Sequence, residues 1–409
     1  MHADHQANPR RNTLLLFMLP QIFTRGTWAG SGVFVPNARV EGFPHQIDIA
    51  APSPSPDGQP LRSPALVFLH GGGGTKEGVE DQLGLTAEWA ETQRTIVAVP
   101  QGQSLQTCSH PPCTAYTWSN GVMSSGQNDV AFLRKLSELL RTEYSATNVT
   151  LVGHSNGGMM TNRMWCEAQS AVAFDAFVAF DGPASSWFDR DAAGSSDYHP
   201  CVSNQAPFME VIAYEDHVIG NTPAEHIDQA TWPTNRDWLG SYAYVNNLLM
   251  NPWFFYERVR GPTSCGQSPD RGRKAASFPR VDFWSACDGH VELTAIKGKD
   301  DMCSRIARGH CLPFLKQNLG CGLLEFALEW SRAPGVLPSC AQSTATIASP
   351  PATSTTSHPF ARIAAVVVLG AIIYKVCTWC FRKRRQATPL LGSTSSVALA
   401  GENGNSGSF

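Results

Sequence analysis

Short apolar runs alternate with amphipathic stretches between residues 34 and 330. Four of these runs are rich in β-branched and other apolar side chains, which predicts buried strands. They span residues 64–70, 95–100, 149–153 and 208–214. Residues 129–144 instead carry apolar side chains at helical spacing, directly before the third run. This alternation predicts an α/β fold with a mainly parallel sheet.

Two further apolar runs lie near the ends of the chain. Residues 14–23 follow Arg10 and Arg11, which is the order of a secretory signal, although a transit peptide and a buried strand are alternatives. Residues 363–381 are long enough to cross a bilayer and are followed by four basic residues at 382–385. A buried terminal helix is the alternative for this second run.

These features divide the chain into five segments. They are a signal peptide at 1–30, an α/β domain at 31–338, a Ser/Thr/Pro-rich stalk at 339–360, a single transmembrane helix at 361–381 and a cytoplasmic tail at 382–409. Basic residues stay on the cytoplasmic side of a membrane, so we expect a type I protein whose α/β domain is extracellular or lumenal. A tag placed after Phe409 that is digested by protease on intact cells would contradict this orientation.

Composition narrows the class of partner. The 409 residues are 42% hydrophobic and 16% charged, as in a folded globular protein. A net charge of -3 provides no broad basic surface, so we expect no nucleic-acid partner. The oligomeric state is not predicted by these features.

The cysteine content points to an oxidising compartment. Ten of the 12 cysteines precede the predicted membrane span, and an even set of this kind predicts disulfides. A zinc site is the alternative, but those ten include no CxxC pair. Asn148 begins the sequence Asn-Val-Thr, which is an N-glycosylation sequon.

A GxSxG sequence follows the run at 149–153. Gly153-His-Ser-Asn-Gly157 has small residues on both sides of Ser155, which suits a tight turn that presents a serine hydroxyl between a strand and a helix. We therefore expect Ser155 to be a nucleophile. The N–H of the next residue, Asn156, would be one of the donors to a developing oxyanion.

A second glycine-rich turn follows the run at 64–70. His70 precedes four glycines, Gly71 to Gly74, and glycines allow a backbone N–H to approach a substrate carbonyl. We expect Gly71 and Gly72 to supply the second oxyanion donor. The alternatives are a plain turn and a phosphate loop, but the Lys-Ser/Thr ending of a Walker motif is missing.

A serine nucleophile needs a histidine base and an acid that orients it. Asp216 follows the run at 208–214, with Glu215 as its competitor. His310 lies on a loop before an amphipathic helix and is our choice of base. His290 is the alternative, but it introduces a strand-like segment and would lie at the wrong end of that strand.

Several of these segments together resemble the group of α/β-hydrolases that contains secreted polyhydroxybutyrate depolymerases and feruloyl or acetylxylan esterases. They are Leu66 to Gly74, Val99 to Gly102, Trp118 to Gly121, Asn128 to Leu133 and, most specifically, Val152 to Met160. The resemblance covers residues 40–335. It implies an α/β-hydrolase fold, hydrolysis of carboxylic esters, no metal or organic cofactor, and a substrate pocket near His70, Trp118 and Asn120.

Two segments depart from the pattern of that group. The group has His-Gly-Thr-x-Asp around its acid, whereas this chain has Ile212-Ala-Tyr-Glu-Asp216. The base of the group lies in Gly-His-x-Trp-Pro, whereas this chain has Gly309-His-Cys-Leu-Pro313. These differences indicate an altered substrate pocket.

The expected activity is that of a serine carboxylic ester hydrolase that acts through an acyl-enzyme. Its substrate would be an extracellular or lumenal ester, such as a polyester or a feruloyl or acetyl ester of a polysaccharide. The alternative is an inactive hydrolase-fold domain that serves adhesion or reception. Peptidase and acyl-transfer activities would use the same three side chains.

Overall fold

The computed structural model describes residues 32–105, 115–120, 124–167, 173–182, 206–214, 216, 218, 274–286, 289–298, 302–304 and 309–342. The predicted signal, membrane span and tail lie outside these ranges and stay predictions, as does most of the predicted stalk. In the described ranges, the helices are too short or too polar to cross a membrane.

The described strands include all four apolar runs predicted from the sequence. In chain order they are β1 Val33–Ala38, β2 Ile47–Ala51, β3 Ser63–Leu69, β4 Ile96–Pro100, β5 Gln103–Ser104, β6 Tyr116–Thr117, β7 Ala146–His154, β8 Ala176–Phe180, β9 Phe208–Ala213, β10 Lys274–Ser277, β11 Val281–Ala286 and β12 Val291–Ile296. The sequon residue Asn148 lies half-buried in β7.

The helices lie between these strands and after the last of them. They are α1 Lys76–Leu83, α2 Ala87–Gln93, α3 Asp129–Glu143, α4 Asn156–Cys166, α5 Leu312–Leu319, α6 Leu323–Arg332 and α7 Ser339–Gln342. Caps mark several boundaries: Thr75 Oγ1 accepts a hydrogen bond from Gly78 N–H, and Asn128 Oδ1 accepts one from Ala131 N–H.

Ten of the described strands form one sheet, in the order β1-β2-β4-β3-β7-β8-β9-β12-β11-β10. The six central strands from β4 to β12 are parallel to one another. The strands at both edges, β1 and β2 on one side and β10 and β11 on the other, run antiparallel to their neighbours. The prediction of a mainly parallel sheet is therefore confirmed.

Helices cover both faces of the sheet because its central strands are apolar on both sides. In β3, Val67 and Leu69 face the core under α3 and α4, whereas Leu66 and Phe68 face the core under α1 and α6. A mostly parallel sheet with helices on both faces and a strand–turn–helix around Ser155 is consistent with the α/β-hydrolase fold.

The described part of the chain ends in a covalently anchored segment. The first residues of the predicted stalk form α7, where Ala341 is buried against the domain. A disulfide joins Cys340 in this helix to Cys321. The packed domain therefore continues through Gln342, four residues beyond the predicted boundary at 338.

Candidate active site

Ser155 occupies the turn between β7 and α4. Its φ of 54° and ψ of -119° are strained for a residue with a side chain, and such strain concentrates at functional sites. Ser155 N–H donates to Phe180 O, and Ser155 O accepts from Met159 N–H, so both flanking elements fix the turn. Because the side chain is partly exposed, its hydroxyl is open to a substrate.

The glycines around Ser155 lie too close to neighbouring backbone for any side chain. A Cβ on Gly157 would lie 2.4 Å from Leu69 O, and one on Gly153 would lie 2.2 Å from Gly157 O. A Cβ on Gly158 would lie 2.8 Å from Gly182 Cα. The GxSxG spacing is therefore a packing requirement of this turn.

The structure brings the three predicted catalytic side chains into one hydrogen-bonded chain. His310 Nε2 lies 2.8 Å from Ser155 Oγ, and His310 Nδ1 lies 2.7 Å from Asp216 Oδ2. With Nδ1–H donating to the carboxylate, Nε2 is the acceptor for the serine hydroxyl proton. This is the geometry of a nucleophile, a base and an orienting acid.

Asp216 follows the carboxyl end of β9 and has no exposed surface. Its Oδ1 accepts from Val218 N–H at 2.7 Å, while Oδ2 faces His310. Each carboxylate oxygen thus has a donor. The alternative acid, Glu215, lies outside the described residues.

The alternative base lies at the opposite edge of the sheet. His290 directly precedes β12, and its carbonyl oxygen accepts from Phe208 N–H at the amino end of β9. Ser155 follows the carboxyl end of β7, which runs parallel to β9 within the same sheet. The structure therefore brings His310, and not His290, to Ser155.

Gly71 lies beside the nucleophile, and Gly72 is the next residue of the same loop. A Cβ on Gly71 would lie 3.2 Å from Ser155 Cβ and 3.3 Å from His154 Nδ1. Gly73 N–H and Gly74 N–H donate to backbone oxygens, whereas those of Gly71 and Gly72 have no acceptor in the described part of the chain. The loop beside Ser155 therefore keeps two N–H groups available to an oxyanion.

The buried ring of His70 fixes the conformation of the Gly71–Gly72 loop. Its Nε2 accepts from Gly102 N–H at 2.9 Å, so Nδ1 carries the proton and donates to Gly71 O at 2.7 Å. Burial lowers the pKa of His70 to about 4, which keeps the ring neutral. Because C=O and N–H point in opposite directions across a peptide, fixing Gly71 O also fixes the direction of Gly72 N–H.

The other predicted pocket residues are buried behind the site. His70, Trp118 and Asn120 each have 0% exposed surface. Trp118 Nε1–H donates to His70 O, and Asn120 Nδ2 donates to Asn156 O. All three side chains therefore support the two backbone segments, at Gly71–Gly72 and at Asn156, that carry the expected oxyanion donors.

Asn156 begins α4 directly after the nucleophile. Its side-chain oxygen accepts from Trp118 N–H at 2.9 Å and from Thr117 Oγ1 at 3.1 Å, which fixes the first turn of the helix. The N-terminal end of a helix carries partial positive charge. Asn156 N–H is thus positioned at the end of α4 that favours an oxyanion.

His154, within the GxSxG sequence, was not predicted to have a role. Its Nε2–H donates to His310 O at 2.7 Å, which joins the nucleophile turn to the loop that carries the base. Desolvation, followed by the charge of His310, lowers the pKa of His154 to about 3. The ring is therefore neutral near pH 7.

Asp181 was also missed. It directly follows β8, and its carboxylate lies with ring nitrogens of His154 and His310 in a cluster whose atoms are all within 4.8 Å. Three such groups are a possible metal set, but His310 already uses both ring nitrogens, so a metal would break its contacts with Ser155 and Asp216. An acid after an apolar run was the signal that identified Asp216, and it applies equally to Asp181.

Disulfides are present, as the cysteine content predicted, and one of them lies next to the base. Cys311 follows His310 and is bonded to Cys303, with Cα atoms 5.8 Å apart. Cys321 is bonded to Cys340, and Cys166 is also disulfide-bonded. The first of these bonds fixes the residue next to His310.

No family model and no curated protein matches this chain. Among solved structures, an acetyl xylan esterase from Aspergillus awamori is 14% identical, with a TM-score of 0.41 over 66% of this chain and 93% of that chain. Thermogutta terrifontis esterase 2 phosphorylated by paraoxon is 15% identical, with a TM-score of 0.30 over 46% and 72%. At such low values, these similarities carry no argument about the activity, which rests on the geometry of the site itself.

Proposed function

We propose that this protein is a serine hydrolase that cleaves carboxylic esters through an acyl-enzyme. One observation carries the proposal: Ser155, on a strained turn, is hydrogen-bonded to His310, which is hydrogen-bonded to Asp216. The loop beside the same serine carries the N–H groups of Gly71 and Gly72, which have no acceptor among the described residues. Together these features supply a nucleophile, a base, an orienting acid and an oxyanion site.

The reaction follows from this arrangement. His310 Nε2 takes the Ser155 proton as Oγ attacks the ester carbonyl carbon, and the oxyanion is held by N–H groups of Asn156 and the Gly71–Gly72 loop. The intermediate collapses, and the alcohol leaves with the proton from His310. Water then attacks the acyl group, with His310 again as base, and the released acid regenerates Ser155.

The substrate class is the second part of the proposal. The sequence resemblance favours a polyester or a feruloyl or acetyl ester of a polysaccharide. The disulfides suit the extracellular or lumenal side of a membrane, where such esters occur. Hydrolysis of acetylated or feruloylated xylan by the native protein, and not by Ser155→Ala, would support this class, whereas cleavage of peptides alone would contradict it.

The test of the reaction is labelling of the purified full-length protein with a fluorophosphonate. We expect the native protein to be labelled on Ser155, with peptide mapping to locate the adduct. Ser155→Ala should not be labelled, and His310→Ala should be labelled at least about a hundredfold more slowly, because the base is missing. Equal labelling of native protein and Ser155→Ala would refute the nucleophile, and absence of labelling in both would favour an inactive binding domain.

A further inference from the structure

Asp181 is held by the strand that carries the triad acid. Its N–H donates to Val211 O, and its Oδ1 accepts from Ala213 N–H at 3.0 Å, both in β9. Asp216 lies three residues after Ala213 in the chain. Strand β9 therefore fixes the positions of Asp181 and Asp216 relative to each other, and their carboxyl groups lie within hydrogen-bonding distance.

The second oxygen of Asp181 needs a partner. Asp181 has 0% exposed surface, and no protein donor reaches its Oδ2 among the described residues. Two adjacent carboxylates in such a place cannot both be ionised. A proton on Oδ2 gives this oxygen a partner, because the O–H group donates to Asp216. The same proton removes one of the two adjacent negative charges.

The contacts decide which acid holds this proton. Asp216 receives hydrogen bonds from His310 and Val218, which stabilise its ionised form. Among the described residues, the Asp181 carboxyl accepts one hydrogen bond, from Ala213 N–H. Burial, and then the charge of Asp216, raise the pKa of Asp181 well above its ordinary value.

The other titratable groups that face Asp181 do not supply a compensating charge. Glu210 in β9 is buried, and burial raises its pKa well above the ordinary value, which favours its neutral form. His154 is neutral because its pKa is lowered. His310, whose ring also lies near the Asp181 carboxylate, already donates its Nδ1 proton to Asp216.

We propose that Asp181 is a positioning residue whose protonated carboxyl donates a hydrogen bond to Asp216 and holds that carboxylate against His310. This inference rests on the proposed function. The hydrogen-bonded chain of the site then has four members, Ser155, His310, Asp216 and Asp181. The last member acts as a neutral donor and does not contact the substrate.

The first test is the protonation state of Asp181, which does not depend on activity. The infrared difference spectrum between native protein and Asp181→Asn at about pH 7 should show the loss of one C=O stretch of a protonated carboxylic acid. Glu210→Gln is the matched control and should remove a different band of the same kind. If Asp181→Asn removes only carboxylate bands, Asp181 is ionised and the proposal is wrong.

The second test is the rate of fluorophosphonate labelling. Asp181→Asn keeps a neutral donor of the same shape, so its rate should stay within about threefold of native. Asp181→Leu has a similar size but no donor, so its rate should fall about tenfold or more, because Asp216 loses its partner. Equal rates for the two variants, or a loss in Asp181→Asn as large as in Asp181→Leu, would overturn the proposal.

The two proposals fail in different ways. If the native protein is not labelled at all, the proposed esterase function fails, while the infrared band still decides the state of Asp181. If the native protein is labelled but the infrared band is absent, only the role of Asp181 fails. Unfolding temperatures of all variants show whether Asp181→Leu is folded; if it is not, the infrared band of Asp181 and the labelling rate of Asp181→Asn decide the role together.

Discussion

At the scale of single residues, the site depends on positions where a side chain is excluded. Gly153 and Gly157 permit the turn that raises Ser155, and Gly71 leaves space in front of it. The glycine motifs of the sequence predict these positions, because the glycines are required by the local backbone geometry. These motifs do not predict the roles of His154 or Asp181, whose contacts come from segments distant in sequence.

Substitution of Gly71 by alanine tests this requirement. The new methyl group would lie 3.2 Å from Ser155 Cβ and would displace the loop that supplies the oxyanion donors. We expect fluorophosphonate labelling of Gly71→Ala to slow about a hundredfold, with the unfolding temperature nearly unchanged.

Gly78→Ala is the matched control. A Cβ at this position in α1 meets only Thr75 Oγ1, at an ordinary 3.4 Å. Alanine in a helix is favoured over glycine by about 0.5–1 kcal/mol, so stability should rise slightly and labelling should not change. Comparable loss of labelling in both variants would show that Gly71 has no special place at the site.

At the scale of elements, the site is assembled at one edge of the parallel strands. His70, Ser155, Asp181 and Asp216 each come directly or shortly after a strand, and the carboxyl ends of parallel strands meet at the same edge. The apolar runs therefore predicted where Ser155 and Asp216 would lie. His310 differs, because it lies farther along the chain from the end of β12, next to Cys311 of the disulfide Cys303–Cys311.

Removal of this disulfide should affect the site more than the fold. In Cys303→Ser/Cys311→Ser we expect labelling to slow about tenfold or more, because His310 loses the bond that fixes its neighbour. The measurement is the labelling rate of purified protein alongside its unfolding temperature.

The second described pair serves as the comparison. Cys321 and Cys340 are 19 residues apart and lie at the end of the domain. Cys321→Ser/Cys340→Ser should lose about 3 kcal/mol of stability while its labelling rate at low temperature stays native. The reverse pattern of losses would contradict the role given to Cys303–Cys311.

At the scale of the whole molecule, the parallel centre of the sheet was predictable and its edges were not. Central strands are buried on both faces and read as continuous apolar runs, as in β4 and β8. Strand β1 alternates between exposed and half-buried positions, so its signal is weak. Its place in the sheet is set by pairing with β2, which is information that a local pattern does not contain.

The sheet and its last helices are joined by a buried acid that makes stability depend on pH. Glu292 in β12 has 0% exposed surface and accepts a hydrogen bond from Trp330 Nε1–H in α6. Burial raises its pKa from 4.5 to about 7. Between these values the folded chain keeps a proton that the unfolded chain has released, so this group lowers stability as pH rises from about 4.5 to about 7.

Glu292→Gln should remove this dependence. At about pH 4 the variant and native protein should have similar free energies of unfolding, whereas at about pH 8 the variant should be more stable by up to about 3 kcal/mol. Denaturant unfolding at both pH values measures the difference. Glu143→Gln, at an exposed position in α3, is the control, and a pH response equal to that of Glu292→Gln would refute the assignment to Glu292.

The contacts of His310 with Asp216 and Ser155 join segments that lie far apart in the chain. This side chain meets Asp216 across 94 residues and Ser155 across 155 residues. Such long-range contacts form only after the chain segments between them have been brought together. We therefore expect Ser155 to become nucleophilic only late in folding, after its contact with His310 has formed. The onset of Ser155 labelling during refolding would therefore report when the fold is complete.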